Sequence, residues 1–263
     1  MKKILLIHIV LLTSLIFLEA SFAYTQVNTE SMRKSGLQPG LHGNVNFGYN
    51  LVSGNSQFSA IETSFRLDYV RKTFYTFAVL EYQRETENKE LFLNRGFIHL
   101  RGIYNWRESL KPELFFQREF SEFILLNDRN LIGGGFRIRT LQVVPEKAND
   151  YPWLNSFLGV GLMWEYEEID LDPVKTTHIL RSTNYISLQW NINSSSRFNV
   201  VSYYQVDTKD IRDYRVLVQS SLQVGITKYL ALTTGLNYRF DNQPPATVEK
   251  YDLELTNGFT LTF

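Results

Sequence analysis

The last thirteen residues, YDLELTNGFTLTF, alternate between apolar and polar side chains up to the final position. A period of two is the pattern of a β-strand with one apolar and one polar face. A strand of this kind at the edge of a sheet is prone to aggregation unless neighbours cover it. The pattern therefore predicts that the strand belongs to a closed sheet, a barrel. The apolar row, which only Asn257 interrupts, consists of Tyr251, Leu253, Leu255, Phe259, Leu261 and Phe263.

The first 23 residues have the pattern of a secretory signal peptide. Two lysines precede a mostly apolar run over residues 4–18, and small residues follow at positions 21 and 23. A membrane-anchoring helix is the alternative, but the run is shorter than the ~20 residues that a span needs, and His8 interrupts it. We expect cleavage before Tyr24. Residues 24–36 then form a short periplasmic segment, which either remains a tail or folds into the lumen.

Composition narrows the class of protein. The chain has 27 basic and 27 acidic residues, and this balance gives no reason to expect nucleic acid as a partner. It has no cysteine, which excludes disulfides and thiolate metal sites. A mean hydropathy of −0.20 excludes a bundle of membrane helices. The chain nevertheless contains 19 phenylalanines, 15 tyrosines and four tryptophans, and an exported, aromatic-rich chain of neutral hydropathy is typical of a transmembrane β-barrel.

The alternation predicts an all-β fold, a transmembrane antiparallel up-and-down barrel of about twelve strands over residues 37–263. Six strands are well marked, at residues 41–51, 61–69, 154–166, 214–226, 230–240 and 251–263. Six have weaker patterns, at residues 75–84, 92–106, 112–120, 131–141, 184–192 and 198–207.

The connections between these strands fit the same topology. Those assigned to the periplasmic end are short, except for residues 143–153, whereas those assigned to the outside are longer and charged. The predicted outside loops are residues 85–90, 121–129, 168–177, 207–213 and 241–249. Trp153 and Trp164 are eleven residues apart, which is roughly 26 Å of height in a tilted strand and suits two aromatic girdles. A soluble β-sandwich would not explain such spacing.

Two stretches resemble a known family. "GYNLVSGNSQF" and "QREFSEFILLNDRNLIGGGFRIR" are similar to the opening strand and the central region of the domain of unknown function 481 family, whose members are described as salt-induced outer-membrane proteins. The matching positions are Gly54-Asn55, Arg95, Arg129, Gly133 and Gly135. The resemblance implies an outer-membrane location in a Gram-negative bacterium. It brings no activity, cofactor or catalytic residue.

The polar faces of the strands predict what lines the lumen. Charges of both signs can pair into a plug or line a narrow aqueous path, so a structural barrel and a small-solute channel both remain open. Arginines outnumber acids among the inward positions, which predicts a mild anion preference. The candidates are Arg66, Asp68, Arg95, Arg101, Arg137, Arg139, Glu165, Arg215 and Arg239, with Asp252 and Glu254 in the last strand.

The expected partners follow from the apolar faces. Outer-membrane lipids and lipopolysaccharide would contact the outward rows. The C-terminal apolar row resembles the signal that barrels present to their assembly machinery, and we expect that machinery to bind the last strand during biogenesis through its free edge.

An outer-membrane lipid-modifying enzyme, a lipase or deacylase, is the alternative class. Such an enzyme needs a histidine beside a serine, and the candidates are His42, His99 and His178. His178 and Ser182 share a face but lie ~13 Å apart along a strand, which is too far for a proton transfer. A serine on a neighbouring strand could still complete a pair. No histidine pair has metal-ligand spacing. We therefore expect a non-enzymatic protein without a cofactor.

Overall fold

A computed structural model describes residues 28–34, 36–55, 57–146, 151, 153–245 and 248–261. The predicted signal peptide, its cleavage site before Tyr24, and Phe263 lie outside these residues. The described residues form twelve strands and one short 3-10 helix (Glu122–Ile124). The strands are β1 (Gly40–Val52), β2 (Phe58–Val70), β3 (Phe74–Glu87), β4 (Glu90–Tyr104), β5 (Leu110–Ser121), β6 (Leu126–Val143), β7 (Trp153–Ile169), β8 (Lys175–Asn191), β9 (Ser196–Asp207), β10 (Tyr214–Gly225), β11 (Leu230–Asp241) and β12 (Tyr251–Leu261).

The strands pair in sequence order from β1 to β12, each antiparallel to the one before it. This confirms the predicted all-β, up-and-down barrel and its twelve strands. The curvature of the sheet is visible in contacts between strands that are far apart in the order. The Arg215 guanidinium on β10, for example, lies 2.9 Å from the Glu165 carboxylate on β7. We call the end at which β1 begins the first end, and the opposite end the second end.

The two faces of the sheet follow the predicted alternation. Large apolar side chains are exposed on the outward face, whereas the inward face of the central strands is buried and mostly polar. This distribution is that of a barrel in lipid. The exposed apolar residues of the last strand are Tyr251, Leu253, Leu255, Phe259 and Leu261. Within the same face, the Thr234 hydroxyl donates to Asn257 Oδ1 at 2.9 Å.

Burial is uneven around the barrel. In β1 and β12, the first and last strands of the order, none of the described residues is buried. In β7 the inward residues alternate strictly with the outward ones, from Asn155 to Ile169. Packing against a filled interior is therefore concentrated in the central strands.

Several predicted loops proved to be strand. Residues 85–87 belong to β3, 126–129 to β6, and 175–177 to β8, so that the connections at the second end are shorter than predicted. The error came from treating charged residues as loop residues. Arg129, at the end of the predicted loop 121–129, is instead an inward-facing strand residue, and it pairs with Glu167 across the ladder.

The proposed tryptophan girdle was also wrong. Eleven residues is an odd spacing, so Trp153 has the inward parity of Asn155, whereas Trp164 faces outward and is exposed. Trp190, the ladder neighbour of Leu154 on β8, is an outward tryptophan near the first end.

Glycines of β6 and β7 lie opposite one another in the middle of the two paired strands. Gly135 is the ladder partner of Gly161, and a Cβ on Gly161 would lie 2.7 Å from the Gly134 carbonyl oxygen. A side chain at this point would force the two strands apart, so glycine allows the sheet to bend there. Among the described residues, no helix is long and apolar enough to span a membrane.

Candidate functional site

Residues 28–34, which we call the inner segment, lie inside the barrel rather than in its wall. The side-chain amide of Asn28 donates to Gln219 Oε1 on β10 at 2.9 Å, and the Glu30 backbone amide donates to the Tyr203 hydroxyl on β9 at 3.0 Å. On another side the Lys34 ammonium lies 3.8 Å from the Asp68 carboxylate on β2. Of the two locations considered for residues 24–36, these seven occupy the lumen.

The carboxylate of Glu30 is the centre of a buried cluster, which we call the cradle. Arg137 Nε donates to Glu30 Oε1 at 2.9 Å, and Arg33 Nε donates to Oε2 at 3.0 Å. Arg101 approaches Oε2 at 3.5 Å, and the Glu30 side chain is 1% exposed. Burial raises the pKa of the Glu30 carboxyl, but the positive charges of Arg33, Arg137 and Arg101 outweigh it and hold the pKa below its ordinary value.

Aromatic rings and a second carboxylate position the arginines of the cradle. The Arg137 guanidinium lies 3.3 Å from the centre of the Phe157 ring, and Arg101 lies 5.6 Å from that of Phe115. Such cation–π contacts hold a guanidinium from behind and leave its donors free to face the lumen. Glu113 accepts from Arg101 at 3.3 Å and also pairs with Arg33.

A second charged cluster, which we call the wall layer, crosses the lumen near the second end. Glu165 accepts from Arg181 at 2.7 Å and from Arg215 at 2.9 Å. Arg181 also reaches Asp213, in the β9–β10 connection, at 2.8 Å. All of these side chains come from strands or from that connection. The other members are Glu119, Arg129, Glu167 and Asp241.

Two cavities flank the inner segment. A cavity of about 50 Å³ lies between the cradle and the wall layer, lined by Thr29, Arg101, Tyr203 and Arg215 among others. A larger cavity of about 430 Å³ lies on the other side, and amides, carboxylates and arginines from both halves of the barrel line it. Its lining includes Asn28, Glu62, Gln83, Arg95, Gln219, Asn237 and Arg239.

The nine residues predicted to line the lumen all have the parity of the inward face. Arg101 and Arg137 belong to the cradle, and Glu165 and Arg215 to the wall layer. Arg66 binds Asp68 through two hydrogen bonds of 2.7 Å. Arg95 pairs with Gln83 beside the larger cavity, which Arg239 also lines. Arg139 lies nearer the first end and donates to Glu108 at 2.6 Å.

Sequence reasoning missed more than half of each charged cluster. Glu113 and Glu119 alternate with outward leucine and phenylalanine on β5, and this parity was available as a signal. Asp213 was assigned to a predicted loop, and Glu167 and Arg181 lay just outside the predicted strands. Glu113 pairs with Arg101 and Glu167 with Arg215, and Glu119 and Asp213 neutralise two further inward arginines, so the excess of inward arginine that suggested an anion preference does not exist.

The three histidines do not form a common site. His99 is buried among Phe77, Phe97 and Phe115, with its ring nearly parallel to that of Phe97. His178 is exposed on the outward face beside Tyr166. The His42 ring bonds the backbone carbonyl of Gln38 at 2.8 Å. In the part of the chain that the structure describes, no group of acidic or histidine side chains has the arrangement of a metal site.

The fold and its interior define a class of protein, an up-and-down β-barrel with an apolar exterior and a charged, filled lumen. The chain belongs to the DUF481 family, described as a protein of unknown function, whose model matches residues 45–263. No curated protein sequence matches it significantly.

Solved structures with a similar arrangement include a NanC porin, which is 12% identical with a TM-score of 0.43, covering 85% of this chain and 98% of the porin. The transport unit of the autotransporter AIDA-I from Escherichia coli is 13% identical with a TM-score of 0.40, covering 85% of this chain and 89% of that unit.

Proposed function

We propose that this protein spans the outer membrane of a Gram-negative bacterium as a narrow channel for small solutes. The observation that carries the proposal is the larger cavity, about 430 Å³ of space in which polar side chains such as Glu62, Gln83 and Arg95 line the wall together with apolar ones. A purely structural barrel has no need of such a space, whereas a channel needs polar groups that replace the hydration of a passing solute.

The inner segment and the wall layer block the lumen in this conformation. We therefore expect small, infrequent current steps rather than the large steady conductance of a wide porin. The outward apolar rows are the proposed contact with outer-membrane lipid and lipopolysaccharide. The row on β12 is the proposed contact with the assembly machinery. The proposal gives the histidines no catalytic role.

Conductance of the purified protein in a planar lipid bilayer tests this function. Asn237 lines the larger cavity, whereas the next residue toward the N-terminus, Leu236, faces outward. Asn237→Trp should therefore reduce the conductance steps severalfold, and Leu236→Trp, which adds similar bulk to the lipid face, should leave them unchanged.

The same samples must be shown to be folded. A folded barrel resists detergent, so that unboiled and boiled samples migrate differently on a denaturing gel. Folded protein that gives no current, or an equal effect of Asn237→Trp and Leu236→Trp, would contradict the channel.

A further inference from the structure

The cradle contains one carboxylate that does not come from the barrel wall. Arg101 lies on β4, Glu113 on β5 and Arg137 on β6, whereas Glu30 belongs to the inner segment. The segment consists of turn and irregular backbone, and it makes no ladder with a described strand. Its removal would leave the two wall arginines in place and take the Glu30 carboxylate away.

The wall arginines are arranged to hold a carboxylate. Arg101 keeps Glu113 when Glu30 leaves, but the described contacts of Arg137 are the Glu30 carboxylate and the ring behind it. Guanidinium groups bind carboxylates strongly through charge-assisted hydrogen bonds, and a buried guanidinium without an anion is costly. The vacated position would therefore favour another anion of the same shape.

We propose that Arg101 and Arg137 form a binding site for the carboxylate of a small organic acid, and that Glu30 occupies this site until such a solute displaces the inner segment. The inference rests on the proposed channel function, because the solute must reach the cradle through the lumen. The two cavities lie on either side of the segment and give a solute room beside it.

The inner segment is held in the barrel by side-chain contacts and packing rather than by a strand ladder. Outside the cradle, Asn28 bonds Gln219, Thr29 and the Glu30 amide bond Tyr203, and Met32 packs against the apolar cluster around Phe77. These contacts can be released without breaking any strand pairing. The Lys34–Asp68 pair is long, at 3.8 Å, and the lysine side chain is half exposed. Glu30 belongs to the same chain as the wall, and a tethered group competes at an effective concentration on the order of millimolar. A free carboxylate at roughly 10–100 mM therefore competes with Glu30.

The chain has no cysteine, so a single introduced thiol reports the position of the segment. Asn28 is buried and lies outside the cradle, and Asn28→Cys places the thiol there. In detergent-solubilised protein, 100 mM sodium propionate should accelerate maleimide labelling of the introduced thiol about fivefold or more. Propionamide, its neutral isostere, and sodium chloride at the same concentration should not. Equal acceleration by propionate and either control would overturn the proposal.

A second measurement reads binding directly. Glu30→Ala empties the cradle, and propionate should then raise the thermal unfolding midpoint of this variant, whereas propionamide should not. Adding Arg137→Gln should abolish the shift. Arg137→Lys keeps the charge and should weaken the apparent affinity for propionate about tenfold. This variant still tests the site if Arg137→Gln fails to fold. Arg212→Gln, at an exposed loop, is the control that should retain the full shift.

Neither measurement depends on conductance, so the channel and the carboxylate site can be contradicted independently of each other. Accelerated labelling with a silent bilayer would overturn the channel and leave the carboxylate site. Discrete conductance with no response to propionate, in labelling or in unfolding, would overturn the carboxylate site and leave the channel.

Discussion

The cradle and the wall layer use the same pair of residue types, arginine and glutamate, but the carboxylates have different origins. In the wall layer, Glu165 is fixed to β7 and lies between Arg181 on β8 and Arg215 on β10, which are also fixed to the wall. In the cradle, Glu30 enters from a segment outside the sheet. The first cluster is therefore part of the fold, whereas the second is an association that can form or release without unfolding of the barrel.

Removing the central acid of the wall layer should have the largest effect on stability. Glu165→Ala leaves two buried arginines without their shared carboxylate, and breaking a buried pair in this way costs about 3–5 kcal/mol. Denaturant unfolding of the refolded protein in detergent or lipid measures the change. A loss below ~1 kcal/mol would mean that the wall layer does not support the fold.

Asp213→Asn should have an intermediate effect. Arg181 holds Asp213 through bonds of 2.8 and 3.0 Å and thereby fixes the β9–β10 connection to the wall. Loss of a hydrogen bond to a charged group costs about 1.5–3 kcal/mol. The unfolding midpoint should fall, and hydrogen exchange should increase in residues 208–213. Faster exchange without a change in stability would show that the contact of Asp213 orders the loop but does not stabilise the wall layer.

Glu30→Gln should change global unfolding much less than Glu165→Ala does. The inner segment opens locally, and an interaction that is already broken by local opening adds little to the free energy of unfolding the remaining structure. We expect a shift below ~1 kcal/mol in denaturant unfolding. A shift as large as that of Glu165→Ala would show that the two clusters are equivalent and would remove the distinction between them.

The pKa of Glu30 predicts how the cradle responds to acid. Because this pKa is lowered in the folded protein, the stabilisation is complete above the ordinary value of 4.5 and is lost as the pH falls through the lower folded value. Hydrogen exchange of the amides of residues 30–33, compared with Glu30→Gln at each pH, should differ equally from pH 8 to pH 5. The difference should disappear only below 4.5. Loss of the difference already near pH 6 would contradict the assignment.

The smallest effect is expected at a surface pair. Arg212 and Asp210 form a salt bridge of 3.0 Å, but both belong to the β9–β10 connection and the arginine side chain is 82% exposed. Exposed pairs contribute little because water and salt screen them. Arg212→Gln should leave both the unfolding midpoint and the conductance unchanged, and a measurable loss would show that this connection does more than join two strands.

The sequence predicted the strands and their faces well because alternation is a local signal. All twelve strands were anticipated, and the nine predicted lumen residues have inward parity. The charged clusters were harder to predict from the sequence. Residues such as Arg129 and Glu167 look like loop residues in the sequence, and their pairing becomes visible only when β6 and β7 are placed side by side.

The site at Glu30 could not be predicted from the sequence for a similar reason. Residues 24–36 are short and polar, a composition that suits a tail as well as a buried segment. Burial of Glu30 depends on arginines that follow it by 71 and 107 positions in the chain. No local pattern carries that information.

The contacts that Arg215 makes with a distant strand have a consequence for the order of folding. This residue lies on β10 and bonds Glu165 and Glu167 on β7, 50 and 48 positions earlier in the chain. Contacts between distant positions form slowly because a long loop must close before they contribute. As β7 and β8 come together, Glu165 meets Arg181 but still lacks its second arginine. The wall layer is therefore completed late, when β10 brings Arg215 and β11 brings Asp241, and an intermediate that stops at β9 holds an incompletely neutralised row of carboxylates.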